Sequence, residues 1–478
     1  MLALDPAVCA RALESRDPRF DGVFFVGIRT TMIYCRPICP SRLSRPDRRS
    51  FFATAAAAER HGYRPCLRCR PELAPGRAPV DAVSRVAHAA AERIAAGALN
   101  GGTVAELAGE LGVSERHLRR AMEREMGVAP ADLAQTQRLL LAKRLLTDTT
   151  LPVTQVAFAS GFQSLRRFHT VFADRYRMPP GALRAQRPRA ADPPAADHAD
   201  TVRLRLPYRA PFAWAALLER LAPDACPGAE FVEPDRCGRT VSLDGCRGAL
   251  FVRNAPAGEY LIVALTVSLL PALMPLLSRL HHLFDLDAEP GVVDAHLARA
   301  GLAGLVRETP GLRVPGAFDG FEAALRELLR DAGGGLDTAA RVVSAIGEPI
   351  ATESPLLDRA WPDAGRVALA GASGLAALGV PVARARSAAD LAGAVVRGRL
   401  RLDPGSEPGD TVSALVTLAG IKAPLAELIA ARALHWPDAA PGAGRESEAW
   451  RPWRSYASAH VARAAAREDA ARRQRTPA

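Results

Sequence analysis

Aromatic residues make up only 5% of this 478-residue chain. Proteins that grip single strands without sequence preference stack bases on exposed rings, so that class is disfavoured. Lysine is nearly absent, and the basic residues are almost all arginine. Long apolar runs are lacking too. The most apolar segment, LIVALTVSLLPALMPLL over 261–277, is short for a membrane span and carries Pro271 and Pro275. It reads as a buried strand followed by a buried helix. The first residues, MLALDPAVCARALESRD, lack a basic stretch followed by an apolar core, so they do not read as an export signal. These absences give the expectation of a cytoplasmic protein with reduced thiols and no membrane partner.

What is present is positive charge. Lys and Arg total 62 against 51 Asp and Glu, for a formal net charge of +11. That balance favours nucleic acid or an acidic surface as partner. Arginine suits bidentate phosphate contacts. The length accommodates about three domains.

Four of the eight cysteines fall into two close pairs. Cys35 and Cys39 lie in IYCRPICPSR, and Cys66 and Cys69 in YRPCLRCRPE. Cys-x3-Cys and Cys-x2-Cys spacings let a turn present two sulfurs to one ion, and four thiolates complete a tetrahedral zinc shell. Two disulfides would need an oxidising compartment. Spacing alone leaves open a purely structural zinc knuckle without reactivity. Arg36, Arg42, Arg45, Arg48, Arg49, Arg64, Arg68 and Arg70 crowd both pairs, a field suited to a polyanion. Cys9, Cys226, Cys237 and Cys246 read as small packing residues. Cys237 and Cys246 flank a hairpin in RTVSLDGCRG, so a bridge between them stays open.

The stretches ESRDPRFDGVFFVGIRTTMIYCRPICPSR and FFATAAAAERHGYRPCLRCRPE resemble the zinc-bearing amino-terminal domain of the Ada DNA-repair and regulatory proteins over residues 1–75. The resemblance implies that Cys35 is a zinc ligand and also accepts a methyl group from a DNA methylphosphotriester, once per chain. Cys39, Cys66 and Cys69 would be the other ligands of one Zn2+. Met32 stands where the family usually has glycine, which implies a local backbone adjustment. The Pro-Cys-His-Arg string of the family's alkylguanine transferase does not occur, so repair of alkylguanine is not expected.

Residues 80–190 are helical in pattern and hold two similar units. TVAELAGELGVSERHLRRAMEREMG and PVTQVAFASGFQSLRRFHTVFADRYR each give a short amphipathic helix, a glycine-centred turn, a serine cap and an arginine-rich helix. That layout is helix-turn-helix. The caps would be Ser114 and Ser164. The second helices would present Glu115, Arg116, His117, Arg119 and Arg120, then Gln163, Ser164, Arg166, Arg167 and His169, chemistry suited to major-groove edges and phosphates. The connecting segment PADLAQTQRLLLAKRLLTD reads as one helix. This part resembles the AraC-family DNA-binding domain, most clearly in AFASGFQSLRRFHTVFADRYRMPPGALR.

A Pro/Ala/Asp linker, RPRAADPPAADHAD, precedes a strand-helix pattern with strands at RTVSLDG, ALFVRN and YLIVALTV. The segments RLPYRAPFAWAALLERLA, LFDLDAEPGVVDAHLA, PGLRVPGAFDGFEAALRELL and SEAWRPWRSYASAHV resemble alkyladenine glycosylases of the AlkA type, in the helix-hairpin-helix superfamily, over 200–470. That implies flipping of a methylated base and hydrolysis of its glycosidic bond. The hairpin departs from the family pattern: it reads Ala419-Gly420-Ile421-Lys422-Ala423-Pro424, with Lys422 in place of a glycine. The family's Leu-Gly-Gln-Gln-Val-Ser segment appears as LLRDAGGGLD, 328–337. The catalytic aspartate normally follows a Pro-Asp-Ala-Phe-Pro stretch by a few residues. Here HWPDAAPGAGRESEAWRPWRSY runs almost directly into the Trp-Arg-Pro-Trp motif. The glycosylase aspartate is therefore unassigned; Asp438 belongs to the preceding stretch, and no motif supports Glu446 or Glu448. Trp450, Trp453 and Tyr456 read as packing residues. The final HVARAAAREDAARRQRTPA reads as a helix fraying into a basic tail.

The expected architecture is multidomain and mainly α with α+β parts. A zinc-binding α+β domain spans 1–78 and an all-α double helix-turn-helix domain 79–188. After a linker at 189–200 come an AlkA-like α+β subdomain, 201–285, and an all-α helix-hairpin-helix glycosylase domain, 286–470. The expected DNA contacts are Arg36, Arg42, Arg45, Arg64 and Arg68 near the sulfurs; Ser114, Arg116, His117, Arg119 and Arg120; Gln163, Ser164, Arg166 and Arg167; and Gly420 with Lys422. The partners would be double-stranded DNA, at damaged backbone and promoter sites, and RNA polymerase. The alternative is a non-enzymatic, zinc-stabilised AraC-type regulator carrying a degenerate glycosylase scaffold.

Overall fold

The computed structural model describes residues 5–74, 85–186, 200–330, 335–403, 405–441 and 445–475. Two compact units emerge: 1–209 with 243–250 and 255–278, and 210–242 with 251–254 and 279–478. The α+β stretch expected at 201–285 thus contributes to both. The linker expected at 189–200 lies outside the described residues except for Asp200, and so does the centre of LLRDAGGGLD.

The first unit opens with helix α1, Pro6–Ser15, capped by the Asp5 side chain. Strands β1 (Phe25–Ile28), β2 (Ile33–Cys35), β3 (Arg49–Phe52) and β4 (Arg64–Pro65) form a sheet in the order β3-β1-β2-β4. β1 pairs antiparallel with β2, Val26 opposite Cys35, while β2 and β4 run parallel with Tyr34 opposite Pro65. Met32, at the turn into β2, has φ +50°. The backbone there keeps the left-handed conformation that glycine adopts readily, and a side chain in it carries a steric cost. Helix α2, Ala55–Arg60, is capped by Thr54.

Helix α3 spans Arg85–Ala95. The two helix-turn-helix units follow, α4 (Val104–Glu110) with α5 (Glu115–Met126) and α7 (Val153–Ala159) with α8 (Leu165–Tyr176). Ser114 and Ser164 cap the second helix of each unit, accepting from the amides of His117 and Arg167. Leu118, Met122 and Met126 in α5, and Phe168, Phe172 and Tyr176 in α8, place one buried residue per turn. Gly161 is required at its turn: φ is +90°, and a Cβ would meet the Asn100 side chain at 2.5 Å. Helix α6, Pro130–Asp148, has 19 residues, so it is about 28 Å long. Helix α9 is Pro180–Ala185. Phe25, Tyr34, Phe52 and Tyr63 share one core with Leu107, Leu118 and Met122. The sulfur-bearing sheet and the first helix-turn-helix unit are thereby packed together. Strand Thr201–Pro207 pairs antiparallel with Tyr260–Thr266, residues expected as the start of a buried strand-helix run.

In the second unit, Glu230–Val232 pairs antiparallel with Arg236–Leu243. The remainder is helical, around a core that includes Phe321, Leu325, Val342, Trp361, Leu391 and Ile429. Arg239 and Arg326 are buried against Glu230 and Glu322 at 2.5–3.1 Å. Trp453 and Tyr456 are buried together and Trp450 packs on them, the packing role expected. All eight cysteines are free. The bridge left open between Cys237 and Cys246 does not form, both being free thiols. Burial pushes the Cys237 thiol up to about 12, as for an inert packing residue. No helix among the described residues is long and apolar enough to cross a membrane.

Asp285 is 1% exposed. It accepts from Tyr456 Oη at 2.8 Å and the Val314 amide at 3.1 Å, and pairs with His435 Nε2 at 3.3 Å. Burial alone would lower the His435 pKa, but Asp285 and the Val314 carbonyl hold it above 6.5. A raised folded-state pKa contributes stability that is full below the unfolded value and fades as pH rises through the folded one. His435→Asn is therefore expected to cost about 2–3 kcal/mol below pH 6.5, with the gap to wild type narrowing at higher pH. Unfolding followed across a pH series checks this.

Candidate metal centre and nucleic-acid interface

The parallel register of β2 and β4 brings the two cysteine pairs together. Tyr34 lies opposite Pro65, so Cys35 and Cys66 leave neighbouring strand ends, and the Cys66 amide donates to the Tyr34 carbonyl at 2.9 Å. A turn closed by the Cys39 amide on the Arg36 carbonyl returns Cys39 beside Cys35. The four Sγ atoms lie within 4.8 Å of one another. Leu13 and Val26 are buried with them, and Ile28, Ile33 and Phe51 pack around them.

The donor set fits a divalent ion. A tetrahedral zinc site with Zn–S of about 2.3 Å places its sulfurs under 4 Å apart. The amides of Arg36 and Arg68 donate to Cys69 Sγ and Cys66 Sγ at 3.4 Å, contacts that favour thiolates. Proton sharing inside the cluster divides it: Cys35 stabilises the Cys39 thiolate, while Cys39 and then Cys66 push the Cys35 thiol up. Four sulfurs this close cannot all carry charge without a cation, and metal binding releases the protons. The cluster fits one Zn2+.

The surrounding arginines are not equivalent. Arg36 is turned inward: Nε donates to Asp21 Oδ1 at 2.8 Å and Nη1 to the Cys69 carbonyl at 3.3 Å. Arg49 is buried against Ser44 and Glu14. Arg70 pairs with Glu72 and Asp148. Arg42, Arg45 and Arg68 are exposed, and Arg64 is half-buried. Arg64 lines a cavity of about 680 Å³ with Met32, Glu59, Gln135, Asp174 and Arg175. Sequence reasoning missed Asp21, Glu72 and Lys143. Lys143 is 1% exposed, and its Nζ reaches Glu72 at 2.5 Å and the Cys66 carbonyl at 3.2 Å. Burial would push the Glu72 carboxyl up, yet Lys143 and Arg70 hold it below 4.5.

On the helix-turn-helix units, Ser114, Arg116, His117, Arg119 and Arg120 are exposed, as are Gln163, Ser164, Arg166 and Arg167. Arg119 is tied to Glu115 at 2.6 Å. In the second unit Gly420 has φ +77°, a Cβ there would meet Ser387 Oγ at 2.6 Å, and its carbonyl accepts from Arg384 at 2.7 Å. Lys422 is exposed at the start of helix Ala423–Ala433. Asp438 pairs with Arg451 at 2.6 Å and Arg454 at 2.8 Å. Glu448 is exposed and salt-bridged to Arg451. The Glu446 side chain lies outside the described residues.

A tetrathiolate centre packed on a double helix-turn-helix defines a zinc-bearing, DNA-binding regulatory protein. Residues 8–72 match the metal binding domain of Ada, 107–186 a helix-turn-helix domain, and 203–319 the AlkA N-terminal domain. The chain is 36% identical over 477 residues to the "Probable bifunctional transcriptional activator/DNA repair enzyme AlkA" of Mycobacterium tuberculosis (strain H37Rv), covering 95% of both. It is 30% identical over 278 residues to the Escherichia coli (K12) "DNA-3-methyladenine glycosylase 2", covering 54% of this chain and 95% of that one. To the E. coli "Bifunctional transcriptional activator/DNA repair enzyme Ada" it is 35% identical over 135 residues, 28% of this chain and 36% of that one. The chain belongs to the family of bifunctional Ada/AlkA-type transcriptional activators and DNA repair enzymes.

One zinc per chain is expected by elemental analysis. Cys39→Ser, Cys66→Ser and Cys69→Ser should each lose it and lower the melting temperature, because metal binding supplies folding free energy.

Proposed function

We propose that Cys35 accepts a methyl group from a methylphosphotriester in DNA, and that this switches the helix-turn-helix pair toward promoter binding. The observation that carries the reading is the convergence of four buried sulfurs in the same compact unit as the two reading helices. Bound zinc would supply the positive charge that keeps all four sulfurs deprotonated. Cys35 Sγ attacks the methyl carbon; an S–C bond forms and the C–O bond breaks. The electron pair leaves with the phosphate oxygen, restoring a phosphodiester anion. The centre carries net charge minus two before transfer and minus one after it. An ordinary phosphate is repelled by the charged cluster, whereas the neutral triester can approach. Loss of one negative charge then strengthens DNA binding. Arg42, Arg45 and Arg68 contact the damaged backbone, with Arg36 placed by Asp21. Arg116, His117 and Arg120, then Gln163, Arg166 and Arg167, read the promoter, where the bound chain recruits RNA polymerase in the cytoplasm. This division assigns 1–78 to methyl acceptance and 79–188 to promoter reading.

Residues 201–470 act on alkylated bases in DNA, with Gly420 and Lys422 on the backbone. The region's similarity to the E. coli glycosylase supports that reading. Asp438, paired with Arg451 and Arg454, is not assigned as its catalytic carboxylate.

Incubation with methylphosphotriester DNA should yield a single methyl adduct on Cys35 by mass spectrometry. An unmodified Cys35 in zinc-loaded protein would reject the acceptor role. Base release from methyladenine DNA tests the second activity. Asp438→Asn is expected to leave that release unchanged while lowering stability by about 1–2 kcal/mol; abolished release with intact DNA binding would give Asp438 the role denied it here.

A further inference from the structure

Two buried carboxylates join the sulfur site to the DNA-reading helices. Glu59, in α2, accepts the Tyr34 hydroxyl at 3.0 Å, and Tyr34 immediately precedes Cys35 in β2. The other Glu59 oxygen accepts from Thr136 of α6 at 2.8 Å and pairs with Arg175 of α8 at 3.0 Å. Glu72 pairs with Lys143 of α6, whose ammonium also holds the carbonyl of Cys66. Arg70 completes the second junction, binding Glu72 at 3.0 Å, and Asp148 and Thr147 at the end of α6 at 2.7 and 2.8 Å. The side chains of Glu59, Glu72 and Lys143 are each 1% exposed.

Separating a buried ion pair leaves an uncompensated charge in a poorly polarisable interior, so such junctions resist opening piece by piece. The strand ends bearing Cys35 and Cys66 therefore hold one arrangement with α6 and α8. A methyl group on Cys35 adds volume to a site packed with Leu13 and Val26, and packed interiors transmit such strain. Displacement of Tyr34 moves the Glu59 carboxylate, and Arg175 with it.

We propose that Glu59 and Lys143 are positioning residues through which the Cys35 site and the second reading helix, α8, report on each other. The inference rests on the methyl-acceptor reading and adds a route through the protein to the local loss of charge at the DNA surface. A purely local charge effect at Cys35 needs no residue of α6. Coupling through Glu59 and Lys143 is reciprocal: whatever factor methylation contributes to DNA affinity, DNA contributes to the equilibrium at the sulfur site.

The test uses the full chain and a duplex selected by the wild type from a random library. Methylation by a methylphosphotriester oligonucleotide should raise wild-type affinity for that duplex on the order of tenfold. In Glu59→Gln and Lys143→Met, with one zinc retained, that gain should collapse towards one while the unmethylated affinity stays near wild type. An undiminished gain in both variants overturns the proposal. Hydrogen exchange on the wild type covers variants that fail to fold. Methylation, or metal withdrawal with a chelator, should change amide protection in α8 and the end of α6; unchanged protection in both under both treatments also overturns it. If no adduct forms but chelation alters α8, the acceptor reading fails and the coupling stands.

Discussion

Four sulfur atoms within 4.8 Å of one another, packed with apolar side chains, form a site whose charge has to be balanced by a cation. The rest of the amino-terminal half is arranged around that constraint. The parallel pairing of β2 with β4 exists to the extent needed to lay two strand ends side by side. Asp21 turns Arg36 inward, so one of the bases beside the cluster braces the knuckle from within. Arg42, Arg45, Arg48 and Arg68 are left facing solvent.

The same half shows how a small metal knuckle gains a larger foundation. A short sheet with four strands buries little area by itself. Here its aromatic face continues into the core of the first helix-turn-helix unit. Its polar periphery ends in carboxylates whose partners lie on α6 and α8. Hydrophobic continuity supplies stability, and the ion pairs fix orientation.

The cysteine spacings, the serine caps and the apolar positions of α5, α6 and α8 were readable because each is a local pattern. A cap needs only its own turn, and a knuckle only a few residues. What stayed hidden is long-range. Arg36, Arg49 and Arg70 look like Arg42 in the sequence, and only burial separates them. Lys143 and Glu72 are 71 positions apart, and the Asp285–Tyr456 hydrogen bond spans 171; no periodicity announces such pairs. Met32 is intermediate: its departure from glycine was visible, and the positive φ supplies the reason. The glycosylase-like half was legible in its segments, but not in which carboxylate performs its chemistry.

Helix α6 connects the two readers without a break across its 19 residues. A helix advances about 100° and 1.5 Å per residue, so its length is also a phase. One residue added at its centre would swing the second unit well around the axis relative to the first. Two residues would turn it to the far side. On the proposed reading, the spacing of the DNA sites the two units accept would be written in the length of a single rod, and a compatible change would have to come in whole turns.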